Sequence, residues 1–159
     1  MKYVCPLIVV ENIARSKEFY GKLLGQKIKN DYGENVVFEG DFSIHLKAHY
    51  GTLLKGHKIT PGGNNFELYF EHDDLEAIQA ELKAANVKFI HEIQTQPWQQ
   101  KVLRIYDPDM NILEIGESLM HVCKRLRKEG KSIEEIKDMT SLPIHFISKA
   151  LDNETEEIS

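Results

Sequence analysis

Apolar and polar positions fall into short alternating runs, with one helical stripe in each half of the chain. Val4–Val10 (VCPLIVV) is apolar and β-branched and predicts a strand. Pro6 has no N–H for a ladder, so it belongs at the strand's start or on an edge. Asn12 is placed to cap a helix over Ile13–Leu24, where Phe19, Tyr20, Leu23 and Leu24 recur at helical spacing and Gly25 ends the run. Strands are expected at Lys27–Tyr32, Val36–Phe38 and Phe42–Lys47, the last two joined at Gly40-Asp41. Ala48–Asn65 holds Gly51, Gly56, Pro61, Gly62 and Gly63, shows no clear period, and reads as a long loop or linker.

The pattern then restarts. Phe66–Phe70 predicts a strand, and Asp73 or Asp74 caps a helix whose stripe is Leu75, Ile78, Leu82 and Ala85, ended by Asn86. Val87–Ile93 is a further strand, followed by a polar stretch around Pro97-Trp98. Val102–Glu117 reads as a hairpin turning at Asp107-Pro108-Asp109-Met110-Asn111, where Pro presets φ and Asp and Asn tolerate tight turns. Strand, helix and three strands therefore occur twice, and Leu24-Gly25-Gln26-Lys27-Ile28 stands where Ala85-Asn86-Val87-Lys88-Phe89 stands in the second half. The fold class is α+β: two βαβββ modules over 1–117. A C-terminal helical appendage covers 118–151, with Leu119, Val122, Cys123 and Leu126 at helical spacing, a capping box at Ser132–Glu135, and a last helix after Pro143. An acidic tail, 152–159, is expected to fray.

Composition narrows the class. The 159 residues suit one domain with an appendage, and 42% hydrophobic with 28% charged residues is ordinary for a soluble globular chain. A formal net charge of −5 counts against non-specific nucleic-acid binding by the whole protein. No apolar run is long enough to span a bilayer and the N-terminus lacks the zones of a signal peptide, so a cytoplasmic location is expected. Cys5 and Cys123 do not make a disulfide framework.

Alternation along strands picks out the candidate chemistry. Glu114 lies between apolar neighbours on the hairpin's second strand, where a carboxylate is costly unless it is paired, binds a metal or faces water. Glu67 shares a face with Tyr69, His45 with Ser43 and Lys47, and Cys5 with Leu7 and Val9. If the two halves are related by a pseudo-two-fold, Cys5, His45, Glu67 and Glu114 converge, and thiolate, imidazole and carboxylate are ligands for zinc and other divalent metals. Each also has a plainer role: Cys5 as a small buried side chain, His45 as a structural histidine, Glu67 as an exposed strand residue, Glu114 at a wet cavity mouth. Arg104 either faces the hollow to bind an anionic group or faces solvent. His49 and His57 read as solvated loop residues.

These phrases resemble the vicinal oxygen chelate superfamily, which includes glyoxalase I, bleomycin- and fosfomycin-resistance proteins and extradiol dioxygenases. The resemblance covers about Val4 to Glu117. It rests on LIVVENIARSKEFYGKLLGQKI, with Phe19-Tyr20 and Leu24-Gly25, on PWQQKVLRIYDPDMNILEI, and on the repeat. Met110 stands where the family's turn usually has Gly, and Gln99 stands where Gly usually follows Pro-Trp. The resemblance implies paired modules forming a cupped sheet, a homodimer, and metal positions at Cys5, His45, Glu67 and Glu114. Cys5 departs from the glyoxalase I pattern, and His45 stands where Glu is usual. The dioxygenases' two-His-one-carboxylate set is missing.

Three functions remain open. The first is a lyase- or isomerase-like enzyme in which a divalent metal (Zn, Ni, Co, Mn or Fe) polarises a carbonyl while Glu67 or Glu114 moves a proton. The second is a non-catalytic module sequestering a planar or anionic small molecule against Trp98 and Tyr69, with Arg104 as a further contact. The third is a ligand-responsive regulator using the helical appendage on DNA, against which stand the few polar groups on the last helix and the overall acidity.

Overall fold

The computed structural model describes Met1–Asp152, so seven residues of the expected acidic tail lie outside the described residues. The repeat is present: the strand order of one four-stranded sheet is β1-β4-β3-β2 and of the other β5-β8-β7-β6. The chain divides into two compact units. One comprises Met1–Glu67 with Tyr106–Ile112, and the other Leu68–Ile105 with the chain from Leu113 onward. No helix among the described residues is long and apolar enough to cross a membrane.

In the first unit, β1 is Leu7–Val10 and pairs in parallel with β4, Ser43–Leu46, with Leu7 opposite Ser43 and Val9 opposite His45. The expected strand therefore starts three residues late. Pro6 cannot donate to a ladder, yet its carbonyl accepts the Ser43 N–H at 3.0 Å. Cys5 thus precedes the strand rather than lying on it. Parallel neighbours need a crossover, supplied by α1, Ile13–Lys17, with Asn12 Oδ1 capping the Arg15 N–H at 3.0 Å. The helix continues as a π-helical stretch, Glu18–Leu23, in which Leu24 N–H reaches back to Phe19 O. Adjacent Phe19 and Tyr20 are both buried there, as a regular stripe would not require. β2, Ile28–Asp31, is an exposed edge strand, and β3 is Asn35–Phe38. Phe38 and Phe42 stack at 4.6 Å with Tyr20 tilted against both, and Val10 and Ile44 complete a fully buried core. The expected long loop after β4 contains a helix, α2, Lys47–Leu53. None of its residues is buried, so it has no apolar stripe to read.

The turn at 107–111 belongs to this first unit and explains the motif. Asp107 Oδ1 accepts the backbone N–H groups of Asp109 and Asn111 at 2.9 and 2.8 Å. Asp107 Oδ2 accepts the Asn111 side-chain amide and the Tyr20 hydroxyl at 2.9 and 2.8 Å. Burial, and then the Asp107 carboxylate, hold the Tyr20 phenol well above its ordinary range. Asp109 Oδ1 accepts the Glu11 N–H and pairs with Arg15 at 2.7 Å. The Phe-Tyr of the helix and the Asp-Pro-Asp of the hairpin are thus two halves of one buried polar network.

In the second unit, β5 is Glu67–Glu71, beginning at the unit boundary, and α3 is Leu75–Ala84 with Asp74 as its cap and Leu75, Ile78 and Leu82 buried. Ala85, expected in the stripe, is instead the exposed residue after the helix. β6, Phe89–Thr95, and β7, Lys101–Tyr106, pair antiparallel, and β8 is Ile112–Gly116. Three helices follow: α4 (Leu119–Lys128), α5 (Ile133–Thr140, with both halves of its capping box formed) and α6 (Ile144–Asp152). They enclose their own core of Val122, Cys123, Leu126, Ile136, Ile147 and Ala150. Burial pushes the Cys123 thiol up, as befits a packing residue. Arg125 fixes α4 to the sheet: Nε and Nη2 meet both oxygens of the buried Glu117 at 2.9 Å, and Nη2 also reaches Gln99 O at 2.7 Å.

Candidate functional site

The residues nominated for a metal are already engaged. His45 is buried at the end of β4. The Asn35 amide lies 3.3 Å from its Nδ1, and the same amide donates to Ile44 O at 3.2 Å. An amide N–H donor fixes the His45 tautomer: Nδ1 accepts, and Nε2–H donates to His49 Nδ1 at 2.8 Å. Burial, and then His49, lower the His45 pKa below the ordinary histidine value. His49 lies on α2, with its ring stacked 5.1 Å from that of His45, so its reading as a solvated loop residue is corrected. Only the unread helix could have revealed it. Cys5 is half-buried, its Sγ 3.9 Å from Ser43 Oγ. Glu67 is exposed at the start of β5. Glu114 is buried on β8 and ion-paired with Arg104 of β7, so Arg104 does not simply face solvent.

A divalent cation fits this donor set poorly. Glu114 already faces a guanidinium, a fixed cation that would repel a second one. Both ring nitrogens of His45 are committed within its own unit. Among the described residues no group of three or more His, Cys, Asp or Glu is arranged to hold a metal ion.

The second sheet carries a different arrangement. Strand alternation puts Glu114 and Gly116 on one face of β8, and Val102 and Arg104 on the same face of β7. A Cβ on Gly116 would meet Gln100 Nε2 at 3.1 Å, Val102 Cγ1 at 3.1 Å and Tyr69 Cε2 at 3.2 Å. Leu103, Ile105, Leu113 and Ile115 occupy the opposite, buried face. Gln100, only 5% exposed, connects two aromatic residues: its Oε1 accepts the Trp98 indole N–H at 2.8 Å, and its Nε2 donates to the Tyr69 hydroxyl at 2.8 Å and to Glu117 O at 2.6 Å. Trp98 is 43% and Tyr69 47% exposed. Burial, and then the Glu71 carboxylate, push the Tyr69 phenol up to about 12, so it stays a neutral donor. His91 Nδ1 lies 2.8 Å from Glu92 O and so carries the proton, which leaves Nε2 to accept from Arg104 Nη1 at 3.3 Å. The result is two part-exposed aromatic residues with polar edges anchored inside the protein. Trp98 and Tyr69 were readable as candidate stacking residues; Gln100, which fixes both, was not.

A family model described as a glyoxalase-like domain matches residues 3–120, three-quarters of the chain. Among solved structures, a protein of unknown function from Agrobacterium tumefaciens is 40% identical with a TM-score of 0.68, over 75% of this chain and 95% of its own. A glyoxalase-related enzyme from Fulvimarina pelagi is 17% identical with a TM-score of 0.64, over 74% of this chain and 89% of its own. A glyoxalase/bleomycin resistance protein/dioxygenase family enzyme from Burkholderia phytofirmans is 17% identical with a TM-score of 0.63, over 74% of this chain and all of its own. These last two show the fold alone. A comparison with curated proteins gave no match.

Proposed function

Since the chain belongs to the glyoxalase-like family of the vicinal oxygen chelate superfamily, we propose that it is a metal-independent binding protein for a small planar organic molecule, stacked on Trp98 and Tyr69. One observation carries this reading: buried Gln100 hydrogen-bonds the polar edges of both aromatics. Holding an aromatic in place before binding removes part of the ordering cost that a ligand would otherwise meet. Aromatic pairs add about 0.5–1.5 kcal/mol beyond area burial, enough for a roughly tenfold change in affinity per ring. The Arg104–Glu114 pair supports a binding rather than a metal-assisted lyase role, because a carboxylate held by a guanidinium is a poor general base. The homodimer expected from the family is part of this proposal, checked by light scattering at twice the monomer mass.

Trp98 is the chain's only tryptophan, so its fluorescence reports on the site directly. Titration with naphthalene, quinoline and indole is expected to quench it saturably with at least one of them. Tyr69→Leu is expected to weaken that binding about tenfold. Added Ni²⁺, Co²⁺ or Zn²⁺ is expected to leave the affinity unchanged. Unaltered binding in Tyr69→Leu, or binding that requires the metal, would refute the proposal.

A further inference from the structure

The glyoxalase-like family model ends at residue 120, so α4, α5 and α6 lie almost wholly beyond it, around a core of their own. Only Ser141, Leu142 and Pro143 separate α5 from α6. Ser141 has φ +61°, the left-handed conformation that glycine often supplies in the turn of a helix-turn-helix. Thr140 Oγ1 donates to Ile136 O at 2.6 Å and accepts the Leu142 N–H at 3.2 Å. Pro143 O accepts the Phe146 and Ile147 N–H groups at 2.9 and 3.1 Å. The short turn is thus held from both sides.

The sequence of α6 shows few polar groups, yet the fold collects them on one side. Ile147 and Ala150 enter the core. Ile144, His145, Ser148 and Lys149 follow one another at helical spacing along the other side; Ser148 is half-buried and the rest are exposed. Ile144 is 47% exposed at the very start of the helix, where it adds nothing to that core. Charge supplies a second argument. Residues 118–152 carry seven basic and five acidic side chains, in a chain whose formal net charge is −5. Glu135 is spent on the α5 cap and Glu129 on Arg125, while Lys124, Arg127 and Lys131 crowd the junction of α4 and α5. α5 rises about 12 Å over its length, about the width of the DNA major groove, so Lys131 and the start of α6 stand about one groove width apart.

We propose that α4, α5 and α6 form a helix-turn-helix that binds duplex DNA, with the outer side of α6 in the major groove and the α4–α5 junction on the phosphates. There Ser148 and Lys149 meet base-edge acceptors and Ile144 meets a thymine methyl. This surface shares no residue with the aromatic face and does not depend on the reading given for it.

The test uses the full chain and a fluorescein-labelled pool of random duplexes of about 30 base pairs, selected and sequenced over successive rounds at about 50 mM NaCl. Selection is expected to enrich a common sequence whose log K falls linearly with log salt. Substitutions at exposed positions separate the two kinds of contact. His145→Ala with Lys149→Ala should weaken the selected duplex about tenfold or more and relax the enriched sequence. Lys131→Ala should weaken selected and random duplexes alike and lower the salt slope by about 0.9. No duplex retained, a pool without a common sequence, single-stranded RNA competing as well as the selected duplex, unchanged affinity in the double variant, or an unchanged salt slope in Lys131→Ala would each overturn the proposal.

Discussion

Met110 and Gln99 are two of the six non-glycine residues, among those described, whose backbone is left-handed. Met110 has φ +69° in the Asp107–Asn111 turn and Gln99 has φ +69° after Pro97-Trp98. In the left-handed region a Cβ crowds the following carbonyl, at a cost of about 1–2 kcal/mol per residue. Removing the side chain altogether would mix this strain with lost packing, because Met110 is only 37% exposed. A matched pair separates the two terms. Met110→Ala and Met110→Gly lose the same atoms beyond Cβ and differ only in Cβ itself. Glycine loses about 0.4–1 kcal/mol more than alanine in unfolded-chain entropy. Set against the relief of strain, this leaves the Gly variant more stable than the Ala variant by about 0.5–1 kcal/mol. At an ordinary helical position the order reverses, so Ala80→Gly in the interior of α3 should cost about 1 kcal/mol. Gln99→Gly should exceed Gln99→Ala by a similar margin. Among the described residues the two turns share no hydrogen-bond partner, so the gains should add. The assay is equilibrium urea denaturation at constant m-value. An Ala variant as stable as the Gly variant at either turn would show that its backbone does not hold the left-handed conformation, and the account of why the family's glycines sit there would fail.

Arg104→Met should destabilise by about 3 kcal/mol by leaving Glu114 buried without its counter-charge, whereas Arg104→Met with Glu114→Leu should recover most of the loss; denaturation midpoints of the single and double variants check this. Because the His45 pKa is lowered in the fold, its contribution to stability is present above pH 6.5 and falls as pH drops below that value, where the unfolded chain binds the proton first. The loss of stability from pH 7 to 5 should therefore be smaller in His45→Gln than in the natural chain; an identical loss would refute it. Tyr20→Phe should cost about 1–3 kcal/mol, because the Asp107 carboxylate keeps its turn but loses a buried donor; thermal unfolding showing no change would remove Tyr20 from the network.

The repeat was legible because strand periodicity and the Phe-Tyr, Leu-Gly and Asp-Pro-Asp phrases are local, and each is tied to a local requirement. Asn12, Asp74 and Ser132 cap helices where their residue types predict. What failed to show was structure without periodicity. α2 has no buried residue and so leaves no stripe, and with it went the His45–His49 contact. Asp73, the rival cap for α3, instead accepts the Ser118 N–H at 2.8 Å, a partner 45 residues away that no spacing rule finds. Gln100 hid for the same reason: its environment comes from Tyr69 and Glu117, which are brought to it by the sheet.

The same logic explains why residues in metal-ligand positions need not be metal ligands. In each module the fourth strand carries one buried titratable side chain, His45 on β4 and Glu114 on β8. In each module the third strand supplies its partner: Asn35 on β3 donates to His45, and Arg104 on β7 pairs with Glu114. Adjacent strands put side chains within reach of one another, so the neighbour decides which chemistry a strand residue retains. An amide donor leaves His45 a neutral imidazole whose remaining N–H is committed to His49. A guanidinium leaves Glu114 a paired carboxylate. The fourth strand therefore states which ionisable group is available, and the third strand states whether it is free to bind anything. In this chain both third strands answer with a protein partner, an amide for His45 and a guanidinium for Glu114.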